Sequence, residues 1–296
     1  MIEMVDVSVP LQELFGTNSK LDSVRSVSGG DINEAYLLIL SDGKRIFLKE
    51  NTQRNTRFFE AEQAGIAAIK ATGTISVPHV LKTGIASGRS YLMMEYLEAA
   101  PKQSDYWEHF GRQLAAMHRA DPSKWTRGGK YGFSEDNYIG AGEQFNAVAG
   151  SWVSFFRECR LEVQFSQAQK YFDPEDRKFM QRLLDHLDEY LIEPEYPSLL
   201  HGDLWSGNFV TGPDGYAWLI DPAVYVGHAE AALSMTELFG GFAPDFYDAY
   251  REAGTVLPGY ADRRELYNLY HLLNHLNLFG GSYYGAVKRT LRRFTG

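Results

Sequence analysis

The stretch LLHGDLWSGNFVTGPDGYAWLIDPA, residues 199–223, sets three polar groups at the edges of apolar runs: Asp203, Asn208 and Asp221. A carboxylate drawn out of water needs compensation, from a salt-bridge partner or a metal ion. Phosphoryl transfer asks for such a set: one carboxylate accepts the proton of the attacking hydroxyl, and oxygen ligands hold magnesium on the phosphates. Asp203 and Asn208 stand five positions apart, the spacing of a kinase catalytic loop in which the Asp is the base and the Asn a magnesium ligand. Asp221 closes the apolar run YAWLID, where the second magnesium ligand of a kinase belongs. Between them TGPDG reads as a hairpin turn that brings Asn208 and Asp221 together at its open end. Magnesium takes hard oxygen ligands and few protein groups, so one Asn and one Asp suffice. The competing reading is a polar turn without chemistry, and the second Asp weighs against it.

The elements that must position these groups lie upstream. VRSVSGG, EAYLLIL and KRIFLKE read as strands between about residues 24 and 50, the last two joined by a Ser-Asp-Gly turn. Gly29 and Gly30 lie between the first two and let backbone amides approach phosphates, since glycine offers no steric obstacle. A glycine pair is equally a common turn. Lys49, on the third strand, stands where a kinase lysine contacts the α- and β-phosphates, although a lone strand lysine is more often a solvated edge residue. RFFEAEQAGIAAIK, residues 57–70, has helical periodicity with Phe59, Ile66 and Ala67 on one broad face. From that helix Glu62, or alternatively Glu60, could pair with Lys49. SVPHVLKTGIASGRSYLMMEYL reads as two more strands, and Met94, Glu95, Tyr96 and Leu97 form the linking segment whose backbone would meet adenine.

After EAAPKQSD the pattern turns helical. YWEHFGRQLAAMHRA is strongly amphipathic, GGKYGFSEDNYIGAGEQFN reads as a long loop, and helices follow near 151–169 and 174–192, then the hairpin and helices to the end. The expected fold is α+β and two-lobed, as in protein kinases. A β-rich nucleotide-binding lobe would span residues 1–95, and a mainly helical catalytic and acceptor-binding lobe residues 96–296, joined near Glu95–Ala100.

The bulk properties fit this picture. With 44% apolar and 23% charged residues, the composition is that of an ordinary soluble globular protein. A formal charge of −9 argues against a nucleic-acid partner, whose binding needs a basic surface; a local basic site for an anion stays compatible with it. A single cysteine, Cys159, allows no intramolecular disulfide and no zinc cluster, and within FFRECRLEVQF it reads as a half-buried thiol. MIEMVDVSVPLQELF lacks a basic region followed by an apolar run, and no stretch reaches the roughly 18 apolar residues of a membrane span. The expected location is the cytoplasm. KRTLRRF reads as a solvated helix end.

Departures from protein kinases point to a small acceptor. Asp221 is followed by Pro-Ala, so Pro222 biases it to an extended conformation, and no Ala-Pro-Glu is present. The segments GGDINEAY, FLKEN, LMMEYL, GRQLAAMH, GFSEDNYIG, SWVSFFRECRLEVQ, HGDLW, DPAVYVGHAE and LLNHLNLFGG cover nearly the whole chain. In them the chain closely resembles fructosamine kinases, also called ketosamine-3-kinases, in the larger group shared with aminoglycoside phosphotransferases and choline kinases. His-Gly-Asp is common to that group; HGDLW joined to DPAVYVGHAE and LLNHLNLFGG is far more diagnostic.

The resemblance implies ATP- and magnesium-dependent phosphorylation of the 3-hydroxyl of a ketosamine, an adduct of the fructosamine, ribulosamine or erythrulosamine type. The 3-phosphate is unstable, so the sugar is lost and the amine repaired. The same likeness implies that Asp203 is the base, that Asn208 and Asp221 hold magnesium, and that Lys49 with Met94–Leu97 binds ATP. Trp205 would pack against the sugar-amine. His271 and His275, at i and i+4 of one helix face, could line the acceptor pocket, with helix packing the stronger reading for both. Some relatives carry a cysteine in the glycine-rich loop that pairs two chains; Asp31 stands there here, which speaks against redox switching by that route. The partner expected is a small-molecule ketosamine or glycated amine, with no nucleic acid and no membrane. The rivals are another small-molecule kinase, for an aminoglycoside or choline, and a non-catalytic nucleotide-binding protein.

Overall fold

The run SYLMME is apolar on both faces, and a computed structural model, which describes residues 4–27, 33–52, 56–253 and 256–296, gives the cover of each. Strands β1 (Leu21–Val27), β2 (Glu34–Leu40), β3 (Arg45–Thr52), β4 (Val80–Ala86) and β5 (Arg89–Glu95) form an antiparallel sheet in the order β1-β2-β3-β5-β4. Tyr91 and Met93 pack with Tyr36, Leu38 and Leu48 beneath helix α1 (Ser8–Phe15), which supplies Leu11. Leu92 and Met94, one residue out of phase, face the other way with Phe59, Ile66 and Ile69 of helix α2 (Thr56–Lys70). Successive strand side chains alternate between faces, and directly paired residues share one. Lys49 pairs with Leu92 and is thereby committed to the α2 face.

Local turns follow the sequence closely. The β4–β5 turn holds Ser87 at φ 48° and Gly88 at φ 76°, the pair of positive angles that a tight hairpin of right-twisted strands requires. Helix α1 was not expected, because its eight residues are too few for a legible period. Its approach is fixed by Val5 N–H donating to Glu50 Oε2 at 2.6 Å, with Arg89 3.1 Å from the other oxygen of that buried carboxylate. In α2 the buried stripe is Phe59, Ile66, Ala68 and Ile69, while Ala67 is exposed and not part of the apolar face as expected. One step of about 100° from Ile66 carries it to solvent.

Beyond Glu95 no regular element forms until α3 (Tyr106–Arg119). Then come α4 (Trp152–Phe156), a π turn (Arg157–Leu161) leading into α5 (Glu162–Gln167), α6 (Pro174–Asp185) and α7 (Leu187–Tyr190). The C-terminal helices are α8 (Ala229–Leu238), α9 (Pro244–Glu252), α10 (Tyr260–Phe279) and α11 (Tyr284–Thr295). The expected helix over 174–192 is broken at His186, and Cys159 is buried. Trp152, Phe155 and Phe156 are buried at the centre of this half, and Arg263 of α10 grips Glu230 of α8 through bonds of 2.7 and 2.8 Å. Short ladders sit among the helices: β6 (Asn137–Ile139) with β7 (Gly142–Gln144), β8 (Ser198–Leu200) with β11 (Tyr225–Gly227), and β9 (Phe209–Thr211) with β10 (Ala217–Leu219). The β6–β7 hairpin falls where a loop was expected, since three-residue strands show no readable alternation. Among the described residues no helix is long and apolar enough to cross a membrane.

Candidate active site

Strand alternation delivers Lys49 and the buried face of α2 delivers Glu62. Lys49 Nζ donates to Glu62 Oε1 at 2.6 Å and also to Asp221 Oδ1. The side chains of Lys49 and Glu62 are 8% and 7% exposed, whereas Asp221 keeps 41% of its side-chain surface open. Glu60, the alternative partner, is exposed. Burial works against the Lys49 ammonium, but the carboxylates of Asp221 and Glu62 outweigh it and hold its pKa above the ordinary lysine value. Burial likewise pushes Glu62 upward, against the pull of Lys49.

The loop from His201 to Asn208 explains why histidine and glycine precede Asp203. Burial lowers the His201 pKa to about 4, so the ring is neutral. Its Nδ1 accepts from Asp203 N–H at 3.3 Å, which leaves the proton on Nε2 to be donated to Ile220 O at 2.9 Å. Ala223 N–H donates to His201 O at 2.8 Å and Ile220 N–H to Asn208 O at 3.0 Å. His201 is therefore a clamp between the two Asp-bearing segments. Gly202 sits at φ +85°, and a Cβ there would lie 1.8 Å from Ala223 O, so no other residue fits.

Asp221 itself departs from expectation. It adopts φ 54°, in the left-handed region, and not the extended conformation favoured before proline. The backbone ties at Ile220 and Ala223 and the grip of Lys49 override that preference. A strained residue of this kind costs on the order of 1–3 kcal/mol, and Asp is among the few side chains that tolerate it.

Asp203 lies on the floor of the cleft with part of its surface open. Burial pushes its pKa up to about 7, opposed by a bond from Asn208 and reinforced by the charge of Asp221. Asn208 Nδ2 donates to Asp203 O at 2.7 Å and to Asp203 Oδ2 at 3.0 Å. Both acceptors demand the amide nitrogen, which leaves Asn208 Oδ1 as the end able to accept a donor or a cation. Among the described residues no cluster of three or more His, Cys, Asp or Glu is suited to holding a metal. The donor set at hand is the Asn208 oxygen plus the Asp221 carboxylate, two hard ligands that leave room for phosphate oxygens, as magnesium prefers. Glu62, Asp203 and Asp221 also outnumber Lys49 in charge, which suits a polyphosphate only when a divalent cation accompanies it. The residues fit magnesium.

These groups line one cleft of about 930 Å³. Ala35 and Phe47 from the sheet, with Val210 and Ile220 from the hairpin, make an apolar slot beside Met94, Glu95, Tyr96 and Leu97, all of which line the cleft. The sheet pairing of β5 ends at Glu95, so the peptides after it lie outside the ladder. The Glu95 carboxylate is engaged by His79 N–H at 2.6 Å. Gly29, Gly30 and Asp31 lie outside the described residues.

The opposite end is aromatic. Trp205, 37% exposed, meets Phe239 edge-on at 6.2 Å, and His275 lies 4.9 Å from Phe239 and 5.1 Å from Tyr283. The indole lies over Gly207, where a Cβ would come within 2.4 Å of it. His275 Nδ1 donates to His271 O at 2.8 Å, leaving Nε2 as the acceptor nitrogen. His271 is not part of this wall: it is 3% exposed, packs on Tyr270 at 5.1 Å, and burial lowers its pKa to about 3. The expectation that it lines the pocket with His275 is corrected, because α10 is buried on all sides at that turn and reaches the cleft only nearer its end. Phe239, Asn274, Phe279 and Tyr283, which also line this end, were missed, since nothing local in their sequence separates a cleft residue from a packing one.

Trp205→Ala is expected to raise KM for the acceptor by roughly 2- to 30-fold, equivalent to about 0.5–2 kcal/mol of lost aromatic and cation–π contact. KM for ATP and the melting temperature stay near wild type. A mutant that melts several degrees lower with an unaltered acceptor KM would make the indole an anchor of the loop.

Comparison with known proteins places this geometry. A family model for fructosamine kinase matches residues 3–295. A probable ketoamine kinase of Synechocystis sp. is 39% identical over 290 residues, covering 97% of this chain and 95% of that one. A chloroplastic protein-ribulosamine 3-kinase of Oryza sativa subsp. indica is 39% identical over 272 residues, covering 90% of this chain and 77% of its own. A crystal structure assigned as a fructosamine-3-kinase from Thermobifida fusca superposes with a TM-score of 0.83 at 31% identity, over 97% of both chains. Two antibiotic phosphotransferases at 18% and 14% identity share the fold alone, each with a TM-score of 0.61.

Proposed function

The chain belongs to the fructosamine kinase family, and from that premise we propose how its cleft performs ATP-dependent phosphorylation of a ketosamine. It is an ATP-dependent phosphotransferase with an alcohol group as acceptor. In our reading Asp203 accepts the proton of the acceptor 3-hydroxyl as its oxygen attacks the terminal phosphorus, whose bond to the bridging oxygen breaks and releases ADP. Lys49, held in place by Glu62, neutralises the α- and β-phosphates. Asn208 Oδ1 and Asp221 hold magnesium, which when bound neutralises and aligns the phosphates for transfer. The backbone after Met94 meets adenine beside the apolar slot, so the nucleotide sits between the lobe of residues 1–95 and that of residues 96–296, which also supplies the base and the acceptor wall. Trp205, Phe239 and His275 offer flat faces to the sugar and its protonated amine.

The observation that carries this reading is the convergence in one cleft of the Lys49–Glu62–Asp221 trio with the Asp203–Asn208 pair, beside an aromatic pocket. The test is a panel of acceptors with purified protein, ATP and magnesium: fructosamine, ribulosamine and erythrulosamine adducts of free amines and of protein lysine, with aminoglycosides and choline alongside. Turnover of ketosamines with the phosphate on C3 is expected. Turnover confined to an aminoglycoside or choline would overturn it.

The protonation state of Asp203 makes a separate prediction. Only the carboxylate accepts a proton, and its pKa is pushed up to about 7, so kcat/KM for the acceptor rises with pH and levels off above about 7. A profile flat from about pH 5.5 to about pH 8 would remove Asp203 from the base role.

A further inference from the structure

The segment DNYIGAGEQFN contains the β6–β7 hairpin, and its three amide side chains are turned inward while Asp136 and Glu143 face solvent. Asn137, Gln144 and Asn146 are 4%, 1% and 2% exposed. Gln144 has both ends of its amide engaged: Nε2 donates to Asn137 Oδ1 at 2.7 Å and to Ala223 O at 2.9 Å, and Oε1 accepts from Tyr270 O–H at 2.7 Å. Asn137 Nδ2 donates to Val224 O at 2.7 Å, and Asn146 Nδ2 donates back to Asn137 Oδ1 at 3.0 Å. Behind them Arg160 donates to Asn146 Oδ1 at 2.8 Å while its guanidinium lies 4.0 Å from the Tyr225 ring centre. Both ends of all three amides are paired, the condition under which such a network is rigid.

Its point of attachment is telling. The Ala223 carbonyl that Gln144 grips is the atom that excludes any side chain at Gly202, and the Ala223 N–H is bonded to His201 O. Two residues earlier stands Asp221, held at a φ that its sequence context disfavours. A strained conformation persists only where its surroundings over-determine it. On the other side Gln144 is held by Tyr270 of α10, the helix that carries Asn274 and His275 to the acceptor end, and by Asn137, which lines the cleft itself.

We propose that Gln144 is a positioning residue for the metal ligand: by pinning the Ala223 carbonyl, its amide holds Asp221 in its left-handed conformation and ties the acceptor wall to the metal site. This rests on the assignment of Asp221 to magnesium made above. Loss of a partner that orients a metal ligand typically costs about 10–100-fold in metal affinity or activity.

The test is calorimetric titration of ADP with and without magnesium, on the full chain, at a temperature well below melting for every variant. Gln144→Leu keeps the volume and removes the amide. Its affinity for ADP alone stays at the wild-type value, while the gain in affinity that magnesium confers falls on the order of 10-fold, with kcat falling alongside. Tyr270→Phe releases only the Oε1 end and gives the same change at smaller size. Because Tyr270 acts through Gln144, the double variant is no worse than Gln144→Leu. A lower melting temperature with wild-type magnesium dependence in both variants would make the network structural only and overturn the proposal. If Gln144→Leu does not fold, wild-type magnesium dependence in Tyr270→Phe overturns it equally. Asp221→Asn separates the two levels. If it removes the magnesium effect and the Gln144 and Tyr270 variants do not alter that effect, only this inference falls; if it too leaves the effect intact, the metal assignment falls with it.

Discussion

Asp203→Asn lowers kcat for ketosamine phosphorylation by about 10²–10⁴-fold, the usual worth of a general base, and leaves affinity for ATP within a few-fold of wild type. The substitution preserves shape, and the new amide oxygen still accepts from Asn208 Nδ2, which now bonds to Asp203 Oδ2 at 3.0 Å. What it removes is the ability to take up a proton. The same exchange has a stability signature. Folding raises the Asp203 pKa from the ordinary aspartate value of 3.8 to about 7, so the ionised group is a burden on the native state. That burden is absent below the unfolded pKa, grows as pH rises through the folded value, and is complete above it. At neutral pH and above, Asp203→Asn therefore melts at the wild-type temperature or higher, the pattern of a residue kept for function at the expense of stability. A variant that turns over within a few-fold of wild type would take the base role from Asp203. A large fall in melting temperature would recast it as a structural group.

Asp221→Asn weakens magnesium-nucleotide binding and lowers kcat/KM for magnesium-ATP on the order of 10²-fold, since a neutral amide replaces a charged metal ligand. Asn is the informative substitution because it tolerates the left-handed conformation at φ 54°. Alanine would confound the loss of charge with a change of backbone. Lys49 then keeps only Glu62 as its anionic partner of the present two, and its ammonium is less restrained from reaching phosphate. ADP without magnesium should accordingly bind as well as to wild type or better. An unchanged magnesium-ATP affinity and rate would show that Asp221 serves Lys49 and not the metal.

Much of the site was legible in the chain because its parts are local. Asp203, Asn208 and Asp221 sit on one loop and one hairpin, so spacing alone predicts that they meet, and Asn208 does bond Asp203. The two-lobed α+β order follows from the switch of period after Glu95, whereas the face of Lys49 is set by its pairing with Leu92, because Ile46, Phe47 and Leu48 before it are all apolar. The fold class and the family were likewise readable, since runs such as HGDLW and LLNHLNLFGG carry them without reference to any contact.

Tertiary structure decided what depends on groups far apart in the chain. Glu60 stands as an alternative to Glu62 until the packing of α2 buries Glu62 and exposes Glu60. His271 and His275 share a helix face by spacing, yet the surrounding helices close over the first and leave the second at the cleft. The backbone of Asp221 obeys neither its own preference nor that of Pro222, because Lys49, 172 residues away, and the clamp of His201 hold it. By sequence Gln144 is one polar residue of a long loop; the fold sets it against Tyr270, 126 residues on, and the Ala223 carbonyl. Periodicity and spacing report how a segment meets its own neighbours; which long-range partner wins a strained or ambiguous position is settled by burial and by hydrogen bonds that exist only once the chain has closed on itself.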